Sequence, residues 1–135
     1  MFDTKMVIVV REDLPVWQKL NVTAFLTSGI VGNETELIGE PYEDASGQTY
    51  RALMIQPAIV LTTNGPGLKR IHGRALSRGV EVAIYIEEMF ATGHDAANRD
   101  TVRQYETDAL SLVGLAVRDD RKVVDKITKG AKMHP

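Results

Sequence analysis

Four short apolar runs constrain the fold of this 135-residue chain more than any other feature. They lie near residues 5–11, 58–63, 80–86 and 110–117, and the β-branched composition of the first is typical of a strand that is buried on both faces. Segments with helical periodicity separate them. Because strands that alternate with helices form a sheet covered by helices, the sequence predicts a single α/β domain over residues 1–135, with helices on both faces of the sheet.

The segments between the runs predict helices of ordinary length. The first covers residues 14–31, with Pro15 in its first turn, and another covers 68–78 and ends at Gly79. The stretch 64–67 is interpreted as a turn, and the last helix runs over 119–129 and stops at Gly130.

Two further segments lie outside this regular alternation. Residues 34–52 form an irregular acidic stretch, in which a glycine turn between Tyr42 and Tyr50 predicts a small hairpin. Residues 87–107 are mostly helical and break near Gly93, which predicts an inserted helix at about 92–106.

The charge balance and the residue types exclude several classes of function. The chain has 16 basic and 18 acidic residues and no cysteine, so disulfides, cysteine zinc sites and cysteine nucleophiles are absent. With three histidines in the chain, we expect no metal and no cofactor. No apolar run fits a secretion signal or a membrane span, which predicts a cytoplasmic protein without a membrane partner.

Both ends of the chain resemble a known family. Segment 5–14, with the lysine and long helix that follow it, is similar to the opening of type 2 peptidyl-tRNA hydrolases, and segments 112–115 and 123–128 resemble their last strand and helix. The resemblance implies a three-layer α/β/α sandwich around a four-stranded mixed sheet, and a homodimer.

The chain departs from the hydrolases where their chemistry takes place. Their Asp-x-Gly-x-Thr loop after the third strand is replaced by segment 86–99, and the Gln and His that follow their helical lysine are missing. The pattern looks like a bacterial sister family of unknown function that shares the fold. A shared fold does not carry an activity across a rebuilt site.

Lys19 is the first candidate site residue, because it is the charged residue of the first helix and matches the hydrolase lysine. Its surroundings are apolar, so it suits an anion contact; the alternative is a lysine that extends along the edge of a subunit contact.

A second candidate site is the anion-binding set that combines Lys19 with Thr92, Gly93, His94 and Arg99. Thr92 and Asp95 fit a capping box, with Thr92 as the N-cap, which would put His94 among free backbone N–H groups. The catalytic candidates are Lys19, His94 and Asp95. A joint role requires Lys19, Asp13, His94 and Arg99 to converge on one pocket.

Other basic residues offer a weaker signal. Arg70, Arg74 and Arg78 form a stripe along one flank of a helix, which is interpreted as a solvated face, and the last helix is also basic. His72 falls beside the apolar side of the same helix and is interpreted as a packed histidine.

Two functions therefore remain open. The missing loop and the acidic balance favour a binding or regulatory module, with a small-molecule or anionic ligand, and leave nucleic acid as an open partner. The alternative is an esterase-like hydrolase that acts on an aminoacyl or peptidyl ester, with Lys19 and His94 as anion contacts.

The first helix also predicts an assembly. Leu20, Ala24 and Val31 cluster on one side of the helical wheel, and Val22, Leu26 and Ile30 lie nearly opposite. A helix that covers a sheet needs one apolar side, so the other requires a cover. The acidic stretch, the inserted helix and a second subunit are the candidates. The expectation is a homodimer that uses the first helix or the inserted segment, with Leu26 in the contact.

Overall fold

The computed structural model describes residues 2–135. Seven strands and four helices follow one another along this part of the chain: β1 (Thr4–Arg11), α1 (Val16–Val31), β2 (Tyr42–Glu43), β3 (Thr49–Tyr50), β4 (Ala58–Thr63), α2 (Gly65–Ser77), β5 (Ala83–Ile86), α3 (Asp95–Arg103), β6 (Leu112–Asp120), α4 (Arg121–Ile127) and β7 (Lys132–Met133). Short 3₁₀ turns cover Thr35–Leu37, Glu87–Ala91 and Thr107–Ala109.

The main sheet has five strands in the order β5-β6-β1-β4-β7. β1 pairs in parallel with β4 and antiparallel with β6, which makes the sheet mixed. The prediction of four strands is wrong by one, because β7 pairs Met133 with Leu61 at the edge of the sheet. A two-residue strand that follows Gly130 is too short for hydrophobic periodicity to reveal it.

Two apolar cores lie on opposite faces of this sheet. β1 divides its side chains between them: Met6, Ile8 and Val10 pack with α1, whereas Val7 and Val9 pack with α2 and α4. The α/β arrangement with helices on both faces of the sheet is therefore present as predicted.

Gly114 of β6 brings α1 close to the sheet. A Cβ atom at this position would lie 2.5 Å from Cγ1 of Val22 and 2.9 Å from Cδ1 of Leu26. Because real Cβ atoms do not approach other carbon atoms so closely, the backbone of β6 takes the space that a side chain would need.

The boundaries of α2 differ from the sequence prediction at its start. The segment predicted as a turn begins the helix instead, since Asn64 is the N-cap and its Oδ1 accepts a hydrogen bond from the amide of Gly67 at 2.8 Å. The end agrees with the prediction, because Gly79 has a φ of +67° just after the helix.

The orientation of α1 corrects the expected dimer contact. Val22, Leu26 and Ile30 pack against the sheet, and Leu26 is only 2% exposed. Leu20 lies on the outer side and is 67% exposed. Leu26 is therefore a core residue, and the uncovered apolar side of α1 is the one that contains Leu20.

The acidic stretch contains the predicted hairpin. Tyr42 of β2 pairs with Tyr50 of β3, and Gly47 turns the chain with a φ of +84°. The base of the stretch is attached to the sheet by Arg118, whose guanidinium lies 2.9 Å from the carboxylate of Glu34. Within residues 2–135, no helix combines the length and the apolar composition needed to span a bilayer.

Candidate ligand-binding site

A cleft of about 440 Å³ lies between α1 and the chain that follows β5. One wall comes from α1, and the other comes from β5, the 3₁₀ turn Glu87–Ala91 and the start of α3. Its lining residues are Trp17, Asn21, Phe25, Tyr85, Met89, Phe90, Thr92, Gly93, His94, Asp95 and Asn98.

Four aromatic side chains form a continuous cluster in the walls. Ring centroids lie 6.2 Å apart for Trp17 and Phe90, 5.1 Å for Phe90 and Tyr85, and 5.8 Å for Tyr85 and Phe25. These are half of the eight aromatic residues of the chain. Since Trp17 and Phe25 are largely exposed, the cluster presents apolar ring surface to a ligand.

Tyr85 forms the buried part of this cluster. The residue is only 5% exposed as a whole, and its hydroxyl makes no hydrogen bond within residues 2–135. Burial raises the pKa of Tyr85 above its ordinary value, so the phenol stays protonated and keeps a hydrogen to donate near neutral pH. The hydroxyl oxygen is not one of the fully buried polar atoms that lack a partner, so it keeps contact with solvent, and Tyr85 lines the cleft, where this hydroxyl can donate to a bound molecule.

His94 begins α3 and takes the role that the sequence assigned to Thr92. Its Nδ1 accepts a hydrogen bond from the amide of Ala97 at 3.2 Å, so His94 is the N-cap. This bond assigns the ring hydrogen of the neutral imidazole to Nε2, which is then a donor. The hydroxyl of Thr92 instead donates to the carbonyl of Met89 at 2.9 Å and contacts the side chain of Asn98.

The charged neighbours of His94 pair with each other. Arg99 lies 2.7 Å from the carboxylate of Asp95 across one turn of α3, and both side chains are exposed. Arg99 lines a neighbouring groove with Phe25 rather than the cleft itself. The structure thus brings Thr92, Gly93, His94 and Asp95 into one wall, with Arg99 beside it.

Lys19 lies on a different side of α1. At 100° per residue, Lys19 stands about 160° around the helix from Asn21. Asn21 is the residue in the middle of the face of α1 that lines the cleft. It has no ion pair within residues 2–135. Asp13 is also elsewhere, since it pairs with Arg11 at 2.6 Å, and Arg11 also reaches Glu87 at 3.4 Å. The four residues required for a joint role do not line one pocket.

The sequence analysis missed the aromatic cluster. Trp17, Asn21 and Phe25 stand four residues apart, a spacing that places them along one side of a helix. That spacing was a sequence signal for the wall of the cleft that α1 forms. Tyr85 and Phe90 lie some sixty residues further along the chain, and only the packing of β5 against α1 brings them there.

A family model described as "Protein of unknown function (DUF2000)" matches residues 4–135 of the chain. The chain belongs to the DUF2000 family. The match covers every helix and strand of the structure, including the edge strand β7, and it also covers all residues that line the cleft. The family's function is unknown, so the resemblance to peptidyl-tRNA hydrolases stays an expectation from the sequence.

A solved structure has the same fold. It is a protein of unknown function from Agrobacterium tumefaciens strain C58, which is 57% identical to this chain with a TM-score of 0.98, and the match covers 100% of both chains. No functionally curated protein matches the DUF2000 chain. Within residues 2–135, no group of three or more carboxylate or imidazole side chains is arranged to hold a metal ion.

Proposed function

We propose that this DUF2000 protein is a binding module whose cleft between α1 and α3 takes a small aromatic molecule with a hydrogen-bond acceptor. The observation that carries this proposal is Tyr85, whose ring lies within an aromatic cluster and whose accessible hydroxyl makes no hydrogen bond within residues 2–135. A ligand that stacks on the rings and accepts from this hydroxyl satisfies both features.

The size and lining of the cleft support a ligand of this class. Small-molecule sites are mostly apolar and aromatic, with a few polar groups that fix the orientation of the ligand, and about 440 Å³ lies within their usual range. The donors Tyr85 and His94 provide the polar groups here. Their hydrogens suit an acceptor such as a carboxylate or carbonyl oxygen.

The local contacts favour binding over the esterase-like alternative. Nδ1 of His94 accepts from a backbone amide, and no carboxylate within residues 2–135 orients the ring as a general base requires. Lys19 stands on another side of α1. A hydrolase mechanism that uses both residues therefore lacks the shared site that it needs.

We also propose that the protein is a homodimer that pairs through the outer side of α1. Val16 and Leu20 are largely exposed there, and Ala24 lies on the same side, whereas Val31 is partly buried against the core. This side carries no charged residue. Two-fold pairing would bury it and would bring the second subunit next to Trp17, at the mouth of the cleft.

The ligand proposal is tested by tryptophan fluorescence, since Trp17 is the one tryptophan of the chain and lines the cleft. Benzoate and benzyl alcohol share a ring and differ in the charge of the acceptor. We expect both to change the emission in a saturable way, with tighter binding of benzoate, because a charged acceptor forms the stronger hydrogen bond with Tyr85.

Two variants complete the design. Tyr85→Phe removes only the hydroxyl and should weaken benzoate binding by about tenfold, the loss expected for a hydrogen bond to a charged group. Tyr42→Phe makes the same change in the exposed hairpin and should have no effect. Equal affinity in wild type and Tyr85→Phe, or no saturation with either probe, would contradict the proposal.

A further inference from the structure

Charge is strongly segregated along this chain, although its sum is close to zero. Residues 64–79 and 121–135 together carry nine lysines and arginines and one acidic residue. The rest of the chain carries seven basic and seventeen acidic residues. The two segments contain α2 and α4, which pack on the same face of the sheet, so the basic residues share one side of the molecule.

The nine basic residues of segments 64–79 and 121–135, together called the basic layer, also lack acidic partners. None of the nine lies within ion-pair distance of a carboxylate in residues 2–135, whereas five of the seven other basic residues do: Lys5, Arg11, Arg99, Arg103 and Arg118. The one acidic residue of the layer, Asp125, pairs at 2.6 Å with Lys5 of β1. The layer therefore keeps its positive charge uncompensated.

Three of these cations line one pocket. It measures about 270 Å³, lies between α2 and the chain that joins α4 to β7, and is lined by Thr63, Gly67, Arg70, Ile71, Arg74, Lys129, Gly130 and Ala131. Every charged side chain in this lining is cationic. The pocket therefore combines a concave shape with a single sign of charge, which favours an anion.

Arg74 is held in a fixed orientation at this pocket. Its Nη1 donates to the carbonyl oxygens of Ile127 at 3.2 Å and Lys129 at 2.7 Å, at the end of α4. Nε and Nη2 make no hydrogen bond within residues 2–135. The guanidinium is thus preorganised by one nitrogen and keeps the other two for a ligand.

Thr63 adds a neutral donor to the same pocket. Its side chain occupies the space beside Gly67, where a Cβ atom would lie 2.1 Å from the Thr63 hydroxyl oxygen. Only a glycine at this position of α2 leaves room for the threonine. The hydroxyl has no hydrogen-bond partner within residues 2–135.

We propose that this pocket binds a phosphate group, either as the free ion or as the terminal group of a small phosphorylated molecule. A phosphate dianion balances the charges of Arg70, Arg74 and Lys129 more fully than a carboxylate does. Its oxygens also accept from a guanidinium fork and from a hydroxyl at the same time. The pocket lies on the opposite face of the sheet from the aromatic cleft, so the proposal is independent of the one above.

The experiment is an NMR titration of the full chain with inorganic phosphate, in which sodium chloride keeps the ionic strength constant. We expect saturable shifts of the backbone amides of Thr63, Gly130 and Ala131. Arg70→Ala and Lys129→Ala should each weaken binding by about tenfold, the loss expected for a charge-assisted hydrogen bond.

Arg78→Ala is the matched control. It removes the same charge from the same flank of α2 but lies outside the pocket, so phosphate affinity should stay unchanged. An equal loss in Arg78→Ala and Arg70→Ala would show a diffuse charge effect and overturn the proposal. Arg74 is not substituted, because its bonds to α4 also support the fold.

A second titration distinguishes the source of the phosphate. If glycerol 3-phosphate binds more tightly than inorganic phosphate and its binding also depends on Arg70, the result supports a small phosphorylated molecule as the ligand. Equal affinity for the two probes supports the free phosphate ion. Absence of saturation with both probes overturns the proposal. So does binding of an RNA duplex alone, because the contact would then be with an extended polyanion and not with a phosphate pocket.

Discussion

The ring centroids of Tyr85 and Phe90 lie 5.1 Å apart in a tilted contact. Tyr85 is in the last strand before the 3₁₀ turn, and Phe90 is in that turn, so the turn folds the chain back onto the strand that precedes it. This contact joins the buried and open parts of the cleft. Trp17 packs against Phe90, and Phe25 packs against Tyr85, which couples both walls through one pair of rings.

The N-cap of α3 is a single contact that mutation can isolate. His94→Ala removes the acceptor for the amide of Ala97 and should lower the free energy of unfolding by about 1 kcal/mol. His94→Asn keeps a side-chain acceptor at the cap and should retain most of that stability. Urea denaturation of the two variants compares these values, and an equal loss in both would contradict the capping role.

The close approach of α1 to β6 predicts a steric penalty. Gly114→Ala forces a methyl group against Val22 and Leu26 and should cost about 1–3 kcal/mol of unfolding free energy. Gly73→Ala is the control, because nothing lies within 4 Å of a Cβ atom there. Since alanine favours a helix over glycine, that variant should gain about 0.5–1 kcal/mol. Thermal and urea unfolding measure both changes.

His72 makes stability depend on pH. The residue is buried on α2, and desolvation lowers its pKa below the ordinary 6.5. Between the lowered pKa and 6.5 the unfolded chain binds more protons than the folded one, so unfolding free energy falls as pH decreases through that window. One histidine limits the slope to about 1.4 kcal/mol per pH unit.

The matched variant for this effect is His72→Gln, which does not titrate. Urea denaturation at several pH values below neutrality should show a shallower decline for the variant than for the wild type. Glu81 lines the same surface hollow as His72 and is present in both proteins, so the difference between them isolates the histidine. Parallel declines would contradict the assignment.

The outer side of α1 predicts a dimer that one substitution disrupts. Sedimentation should report about twice 14.9 kDa for the wild type and the monomer mass for Leu20→Asp. Leu76→Asp introduces the same change at an exposed leucine of α2 and should leave the dimer intact. Leu26→Asp does not serve this purpose, because it would place a charge in the core. A monomeric wild type would refute the contact.

Sequence patterns were sufficient to predict the strands and helix ends that depend on residues close together in the chain. The apolar runs located β1, β4 and β6, and Gly79 and Gly130 marked the ends of α2 and α4. They failed for β7, because its two residues pair with β4 only after the whole sheet has formed.

The cap of α3 shows the same limit at the candidate site. Thr92 and His94 both precede the helix, and the sequence favoured Thr92. The structure decides between them: the hydroxyl of Thr92 donates back to Met89 at the end of the 3₁₀ turn, and the N-cap lies two residues later, with His94 accepting from the amide of Ala97. Such a turn forms through packing of Met89 and Phe90 on the core, which no local pattern encodes.

The most direct test of the binding proposal is the location of a bound probe. Intermolecular nuclear Overhauser effects between the ring protons of benzoate and the protein identify the side chains that it contacts. We predict contacts to both the indole of Trp17 and the ring of Tyr85, which lie in opposite walls of the cleft. Contacts confined to other parts of the molecule, or none at saturating benzoate, would contradict the account.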